Sequence, residues 1–358
     1  MKQILLIASR PLANDGLTKI EMDVIKYNKG IIDFEVACGF GFDNLYGDQL
    51  HKQQIKCHSL PQKKKAFEYM RAIYKLVKKE KYDAIYIHGN SAMMFMEAIP
   101  SKIAGARVIT HCHNTKSDYP LIHYIAKPFF NMAVDTKIGC SLLASKWAYC
   151  GKNIITIVNG VEIDQFKYDE KKRLEVRKSL EWSENKIVGH IGRFSKQKNH
   201  KKLINIFSEM YKKDHSMRLL LIGDGDLKNE IENQIRNMKL ENVVCIINQT
   251  EKPQDYMAAM DIMIIPSLFE GLCLVALEAQ ANGLPVLIDN FFTPETKASN
   301  LVKQMDLRDE NTVWADDAFM AVSFISRMGE VTGEKKYFDD AANQILNHTR
   351  YLWCPEKQ

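Results

Sequence analysis

The chain alternates short apolar runs with longer amphipathic stretches. Apolar runs at residues 4–8, 33–38, 84–88, 107–110, 137–140 and 154–158 read as strands, with helical stretches such as 66–80 and 91–103 between them. A second series begins near Lys186: KIVGHIG, MRLLLIG, VVCII, IMIIP and PVLID, again spaced by helical stretches at 203–212 and 227–239. This rhythm predicts βα units on parallel sheets. Residues 164–185 are charged and contain no strand-like run, which makes them the natural junction between two halves. There is no short-period repeat and no low-complexity tract. The expected class is α/β, with two doubly wound domains whose ligands sit beyond the C-terminal strand ends, in a cleft between facing sheets. The competing expectation is one Rossmann-like cofactor domain beside an unrelated partner.

Composition narrows this picture. At roughly 150 residues per domain, 358 residues suggest two domains. A hydrophobic share of 46% and a charged share of 26% belong to a globular chain able to bury a large core. The net charge of +5 is too small to imply nucleic-acid binding. No run reaches the roughly 18 apolar residues of a membrane span. The start, MKQILLIASRPLANDG, lacks a full signal-peptide core and reads as a first buried strand. The eight cysteines are scattered with no CxxC pair, which indicates a reducing, cytoplasmic compartment and no zinc cluster.

Two segments carry candidate chemistry. In PSLFEGLCLVALE a strand runs into a small polar loop and then a helix, whose first N–H groups suit an anion such as a nucleotide phosphate. Gly271 permits close backbone approach. Glu270 lies in the loop, and Glu278, eight residues on, is about two helical turns along on a similar face. Either the pair contacts two parts of an elongated ligand, or Glu270 caps the helix and Glu278 is a solvated surface residue. The largely apolar neighbours Ala276, Leu277, Ala279 and Ala281 favour the first. In GRFSKQKN, Arg193 and Lys198 bracket a strand-to-helix loop, as a diphosphate clamp would. A solvated basic loop is the other reading.

In this order and spacing the segments resemble retaining glycosyltransferase family 4, which has the GT-B fold. GRFSKQKNH is similar to that family's diphosphate loop, and PSLFEGLCLVALEAQANGLPV to its E-x7-E signature. IVNGVEIDQF is similar to the end of its N-terminal domain and LLLIGDGDL to its next strand and turn. HCHNT and the VWADD region resemble members that build bacterial capsules and exopolysaccharides. The resemblance implies two Rossmann-like domains with parallel sheets facing across a cleft. Residues 1–165 would form an acceptor domain, rejoined by a C-terminal helix at about 340–358, and residues 166–339 a nucleotide-sugar domain. It implies a sugar transfer, from a donor that is commonly UDP-linked, to a lipid-linked saccharide at the cytoplasmic side of the membrane, with no cofactor and no metal. Arg193 and Lys198 would hold the diphosphate, with Gly192, Gly223 and Gly225 allowing close approach. Glu270 would bind donor-sugar hydroxyls beside the backbone N–H groups of Gly271 and Leu272, Glu278 the ribose, and Ile247 and Asn248 would lie beside the base. Many relatives have Gly where Asn248 stands, and Asn also tolerates positive φ.

The N-terminal half is less distinctive. His111-Cys112-His113-Asn114 follows the strand RVIT. The H-x-H spacing invites a metal, but no third histidine or carboxylate stands near it in sequence. A structural histidine pair is a further option, and nothing obvious would activate Cys112. The resemblance aligns His113 with the family's histidine near the donor sugar, with His111 and Asn114 towards the acceptor. Where the family often has a Gly-Gly turn after its first strand, only Gly16 is present. From Lys63 to Lys81 a basic helix interleaves Phe67, Met70, Ile73, Tyr74 and Val77. It reads either as a core-packed helix with a solvated side or as a face for an anionic membrane. Other functions on a similar scaffold are a sugar-nucleotide epimerase, a phosphorylase and a nucleotide-sugar-binding protein without catalysis. A dehydrogenase is weaker, because the first loop is not G-x-G-x-x-G.

Overall fold

The computed structural model describes residues 1–307 except Asn14, Asp43, Asn44, Asp118 and Gln249. The VWADD region and the returning helix expected at 340–358 lie outside the described residues. The described residues form two compact units, one of Met1–Asn159 with Phe269–Leu272, the other of Gly160–Leu268 with 273–307.

The first unit is built on strands β1 (Lys2–Ala8), β2 (Ile32–Cys38), β3 (Lys56–Ser59), β4 (Ala84–Gly89), β5 (Arg107–Cys112), β6 (Thr136–Gly139) and β7 (Ile154–Thr156), in the order β3-β2-β1-β4-β5-β6-β7. Every pairing is parallel. Between them run α1 (Gly16–Tyr27), α2 (Leu45–Lys52), α3 (Ala66–Glu80), α4 (Phe95–Ile103), α5 (Pro120–Ala133) and α6 (Leu142–Ala148). Side chains alternate along β1, so Leu6 and Ala8 pack with Ile25 of α1 and Leu50 of α2. Leu5 and Ile7 face the other way, into a core with Tyr69, Ile73 and Val77 of α3 and Phe130 of α5. Both faces of the sheet are therefore covered, as a parallel sheet requires. Asp15 caps α1 by accepting from Thr18 N (3.0 Å), and Ser141 caps α6 by accepting from Ala144 N (3.2 Å).

The second unit begins with α7 (Ile163–Phe166) and α8 (Glu170–Ser179). Then come β8 (Lys186–Ile191), α9 (His200–Lys213), β9 (Met217–Ile222), α10 (Lys228–Asn237), β10 (Val244–Ile247), α11 (Pro253–Ala259), β11 (Ile262–Ile265), α12 (Leu274–Ala281), β12 (Val286–Asp289) and β13 (Val302–Met305). Its sheet is also parallel, ordered β10-β9-β8-β11-β12-β13. The strand order reverses between β8 and β11, the place where open α/β sheets bind their ligands.

Two strands escape the apolar-run reading. β3 (KCHS) and β13 (VKQM) are short, polar and at sheet edges. The helical stretch at 91–103 starts as a 3-10 turn, Ala92–Met94, before α4. The charged stretch 164–185 is not a plain linker. Arg173 and Arg177 of α8 hold the buried carboxylate of Asp261 at 2.6 and 3.3 Å. Asp261 Oδ2 also accepts from Ile187 N at 2.7 Å. Polarity there thus serves a buried ion cluster that fixes α8 to the sheet. Asp261→Ala leaves two guanidinium groups without their counter-charge and should cost about 3–5 kcal/mol of unfolding free energy. A urea midpoint equal to that of the parent chain would contradict this assignment.

Candidate functional site

In the second unit the chain leaves β8 through Gly192–Phe194 and a 3-10 turn, Lys196–Lys198, before entering α9. The turn after β9 folds back on this loop. Gly192 N donates to Ile222 O (2.9 Å), Phe194 N to Asp224 O (2.9 Å) and Leu227 N to Phe194 O (3.1 Å). A Cβ on Gly223 would lie 2.1 Å from Gly192 O, and one on Gly225 2.5 Å from Phe194 O. Both positions need glycine because one backbone lies on another. On the other flank, Leu268 N donates to Gln197 O (2.7 Å) and Asn199 Nδ2 to Pro266 O (3.2 Å), tying the β8 loop to the β11 loop. Gly223 N donates to Ile247 O (3.0 Å), and Asn248 Oδ1 accepts from Lys228 Nζ (2.7 Å). Gly192, Arg193, Lys198, Gly223, Gly225, Ile247 and Asn248 thus meet at one edge of one sheet.

Arg193 is exposed, with its guanidinium 3.3 Å from Asp226. A solvated pair of this kind contributes little, so Arg193 can exchange its partner for an anionic ligand at small cost. The stem of Lys198 packs over Gly192, where a Cβ would stand 3.3 Å from its Cδ and Cε. Glu278 is buried within α12, so it is not a solvated surface residue. Glu270 precedes the helix, which starts at Leu274. The eight-residue spacing therefore does not measure two turns of one helix, and the two carboxylates do not share a helix face.

The segment Phe269–Leu272 packs in the first unit, against the end of β5. Thr115 Oγ1 donates to Glu270 O (2.9 Å) and Ser141 Oγ to Gly271 O (2.6 Å). A Cβ on Gly271 would come within 2.1 Å of His113 O. Gly271 is thus required by the backbone of His113 and Asn114. Glu270, Gly271, Leu272, His113 and Asn114 form one group.

Sequence distance conceals a third histidine in that group. β4 and β5 pair in register, His88 opposite His111, so two neighbouring strands each carry a histidine one residue before their end. His88 Nδ1 lies 3.0 Å from His113 Nε2, and Tyr86 Oη 3.1 Å from His111 Nδ1. The His111 and His113 rings are 4.0 Å apart between centroids. Burial lowers His111 to about 4. His88 is held well below the usual imidazole range by burial, then by His111. His113 is held there by burial, then by His111, His88 and Arg10. All three are neutral at pH 7. Among the described residues, His88 Nε2, His111 Nε2 and His113 Nδ1 have no hydrogen-bond partner. Each ring offers a nitrogen within 4.8 Å of the others, which suits either a hydroxyl-rich ligand or a metal ion. No carboxylate belongs to the trio. Cys112 is no nucleophile, because burial pushes its thiol up to about 12.

Gly16 is the first residue of α1, exposed, in a loop tied by Arg10 to Asp15 at 2.9 Å. One turn further on, Glu21 is buried and held well above the carboxylate range by burial, then by Asp15. Sequence reading missed it, since a lone glutamate in an amphipathic helix looks solvated. α3 buries Tyr69, Ile73 and Val77 and exposes Phe67, Arg71, Tyr74, Lys75, Lys78 and Lys79. It is a core-packed helix with a basic outer side. No described helix is long and apolar enough to cross a membrane.

Residues 171–301 match the family described as Glycosyl transferases group 1. A second model, described as Glycosyl Hydrolase Family 88, matches residues 285–358, of which 308–358 are outside the described residues. The chain is 27% identical over 249 residues to EpsF of Bacillus subtilis (strain 168), named as a glycosyltransferase, covering 66% of this chain and 65% of that one. It is 28% identical over 239 residues to the UDP-Gal:alpha-D-GlcNAc-diphosphoundecaprenol alpha-1,3-galactosyltransferase of Escherichia coli, covering 61% and 60%. The matches thus span less than two thirds of either relative's length. Among solved structures, Anabaena Alr3699/HepE in complex with UDP-glucose superposes with a TM-score of 0.74 at 19% identity, covering 98% of this chain and 99% of that one. That likeness establishes the fold, two parallel-sheet α/β domains of GT-B type.

The depressed histidines make stability depend on pH. Well above the ordinary imidazole pKa of about 6.5, neither state protonates the trio. As pH falls, the unfolded chain takes up protons that the folded one refuses, until about 4 for His111. Unfolding free energy should therefore drop between about pH 6.5 and 4, by about 1.4 kcal/mol per pH unit for each such group. His88→Gln should flatten the slope by roughly one proton; urea titrations at pH 7 and 5 read it directly.

Proposed function

We propose that this chain, which carries a group 1 glycosyl transferase domain on the GT-B fold, builds surface polysaccharide by moving a sugar from a UDP-linked donor to a hydroxyl of a lipid-linked saccharide, with retention of configuration. The observation that carries the reading is the gathering of Arg193, Lys198 and the close-packed glycine turns where the strand order reverses between β8 and β11. The names of the Escherichia coli relative and of the Anabaena complex supply the donor and acceptor chemistry by analogy.

Arg193 and Lys198 would take the departing diphosphate. Its charge grows as the glycosidic bond breaks, so two fixed cations favour the transition state over the ground state. Arg193 gives up its solvated contact with Asp226 for this. Glu278 would accept from the ribose hydroxyls, and Ile247 and Asn248 would flank the base. Glu270 would accept from sugar hydroxyls, beside the N–H groups of Gly271 and Leu272. His113 is buried enough to stay neutral, so its unpartnered Nδ1 can serve a hydroxyl without adding charge. Gly16, His111 and Asn114 would lie towards the acceptor. No side chain attacks the sugar; the leaving phosphate would accept the proton from the incoming hydroxyl on the same face. The proposed reaction uses no cofactor and no metal, at the inner face of the cell membrane.

Arg193→Ala should lose about 2–4 kcal/mol of transition-state stabilisation in kcat/KM. An undiminished rate would sink the diphosphate assignment. UDP at about 100 times its dissociation constant should add roughly 2.7 kcal/mol of stability to the parent chain. A thermal-shift screen of uridine, guanosine and adenosine diphosphates checks this, and no response to any of them counts against the donor site. Transfer should also survive excess chelator. A rate abolished by chelation and restored by a transition metal would instead make His88, His111 and His113 a metal centre.

A further inference from the structure

α5 is apolar on both sides. His123, Ala126, Phe130 and Ala133 face the core. Leu121, Ile122, Tyr124, Ile125, Phe129 and Met132 face outward, with Leu121, Phe129 and Met132 exposed by 72%, 61% and 82%. A helix that only covers a sheet needs one apolar stripe, and its outer side should be polar, as that of α3 is. α5 has no carboxylate, and its one charged residue, Lys127, turns its ammonium back to Trp147 O (2.6 Å) and Lys146 O (3.3 Å). The outer surface continues onto α6: Tyr124 meets Trp147 edge-on at 5.9 Å, and Leu142 and Leu143 are exposed. An apolar surface this continuous is normally covered in use.

Its surroundings point to the occupant. Exposed Lys116 and Lys146 flank the patch. α4 packs between α5 and α3, so the basic outer side of α3 belongs to the same helix layer. Tyr119, Tyr124 and Trp147 combine an apolar ring with a polar atom, the chemistry of a membrane–water boundary. Apolar bulk, aromatic rim and flanking cations without an acidic counterpart on the helix complement an anionic lipid surface.

We infer that α5, with the outer side of α6, is an interfacial helix that inserts into an anionic bilayer. The inference rests on the lipid-linked acceptor for its purpose, and on these residues for its chemistry. The test uses the full chain and vesicles of phosphatidylcholine with or without phosphatidylglycerol, in co-sedimentation without donor or acceptor. The parent chain should partition onto the anionic vesicles. The double variant Ile125→Glu/Phe129→Glu should bind at least about tenfold more weakly. Ile31→Glu, exposed in the turn before β2, should bind as the parent does. Circular dichroism establishes that each variant is folded. The inference is overturned if the parent ignores both kinds of vesicle or if the double variant binds as the parent does. It is also overturned if the parent is a dimer without lipid that the double variant splits, which would make a second copy the occupant. None of these readouts needs sugar transfer, so the membrane face and the proposed reaction stand or fall separately.

Discussion

Every strand pair described in either sheet is parallel, so each strand must be covered on both faces and the chain must cross over to return to the sheet. That constraint organises the whole molecule. It places α1 and α2 on one side of the first sheet and α3, α4 and α5 on the other. It also points all strands of a sheet the same way, so the loops that follow them gather at one edge. The glycine turns and basic loop gather at that edge of the second sheet, and His88 and His111 stand near the corresponding strand ends of the first. Candidate site residues thus collect where the strands end, some in loops and some, such as His88 and His111, within the strands themselves.

The two edges differ in electrostatics, and burial is the reason. Arg193 stands in solvent, where a guanidinium keeps its charge and exchanges partners cheaply. The His88, His111 and His113 rings lie where a charge would lose its hydration, so they are neutral and offer lone pairs and N–H groups. Each edge is thus suited to a different kind of partner: the exposed guanidinium of the second unit to an anion, the buried neutral rings of the first to hydroxyls or a metal ion.

Much of this was legible in the sequence because strands buried on both faces are largely apolar and stand out from the helices around them. β1, β4, β8, β9 and β11 are of this kind. Edge strands β3 and β13 are half-solvated and polar, so periodicity passed over them. The cluster of Gly192, Arg193 and Lys198 was legible because these residues lie close together in one short loop. The histidine trio was not, since His88 and His113 are joined by strand pairing that links residues far apart in the chain. The Glu270–Glu278 spacing misled because a helix start inside the interval breaks the relation between sequence distance and direction. Glu21 and Asp261 were hidden because a carboxylate in sequence does not announce whether it is buried.

α5 is where packing and pattern diverge most. Its inner stripe satisfies the sheet, and its outer stripe is left exposed among the described residues. With α3 it would give a membrane two attractions of different range. Each lysine near an anionic surface contributes about 1 kcal/mol and acts over about a Debye length, some 8–10 Å. Apolar side chains contribute about 25 cal/mol per Å² only once they leave water. Charge on α3 would draw the chain to the surface, and α5 would hold it there. Salt should then weaken the approach more than the bound state, a separation that neither helix could produce alone.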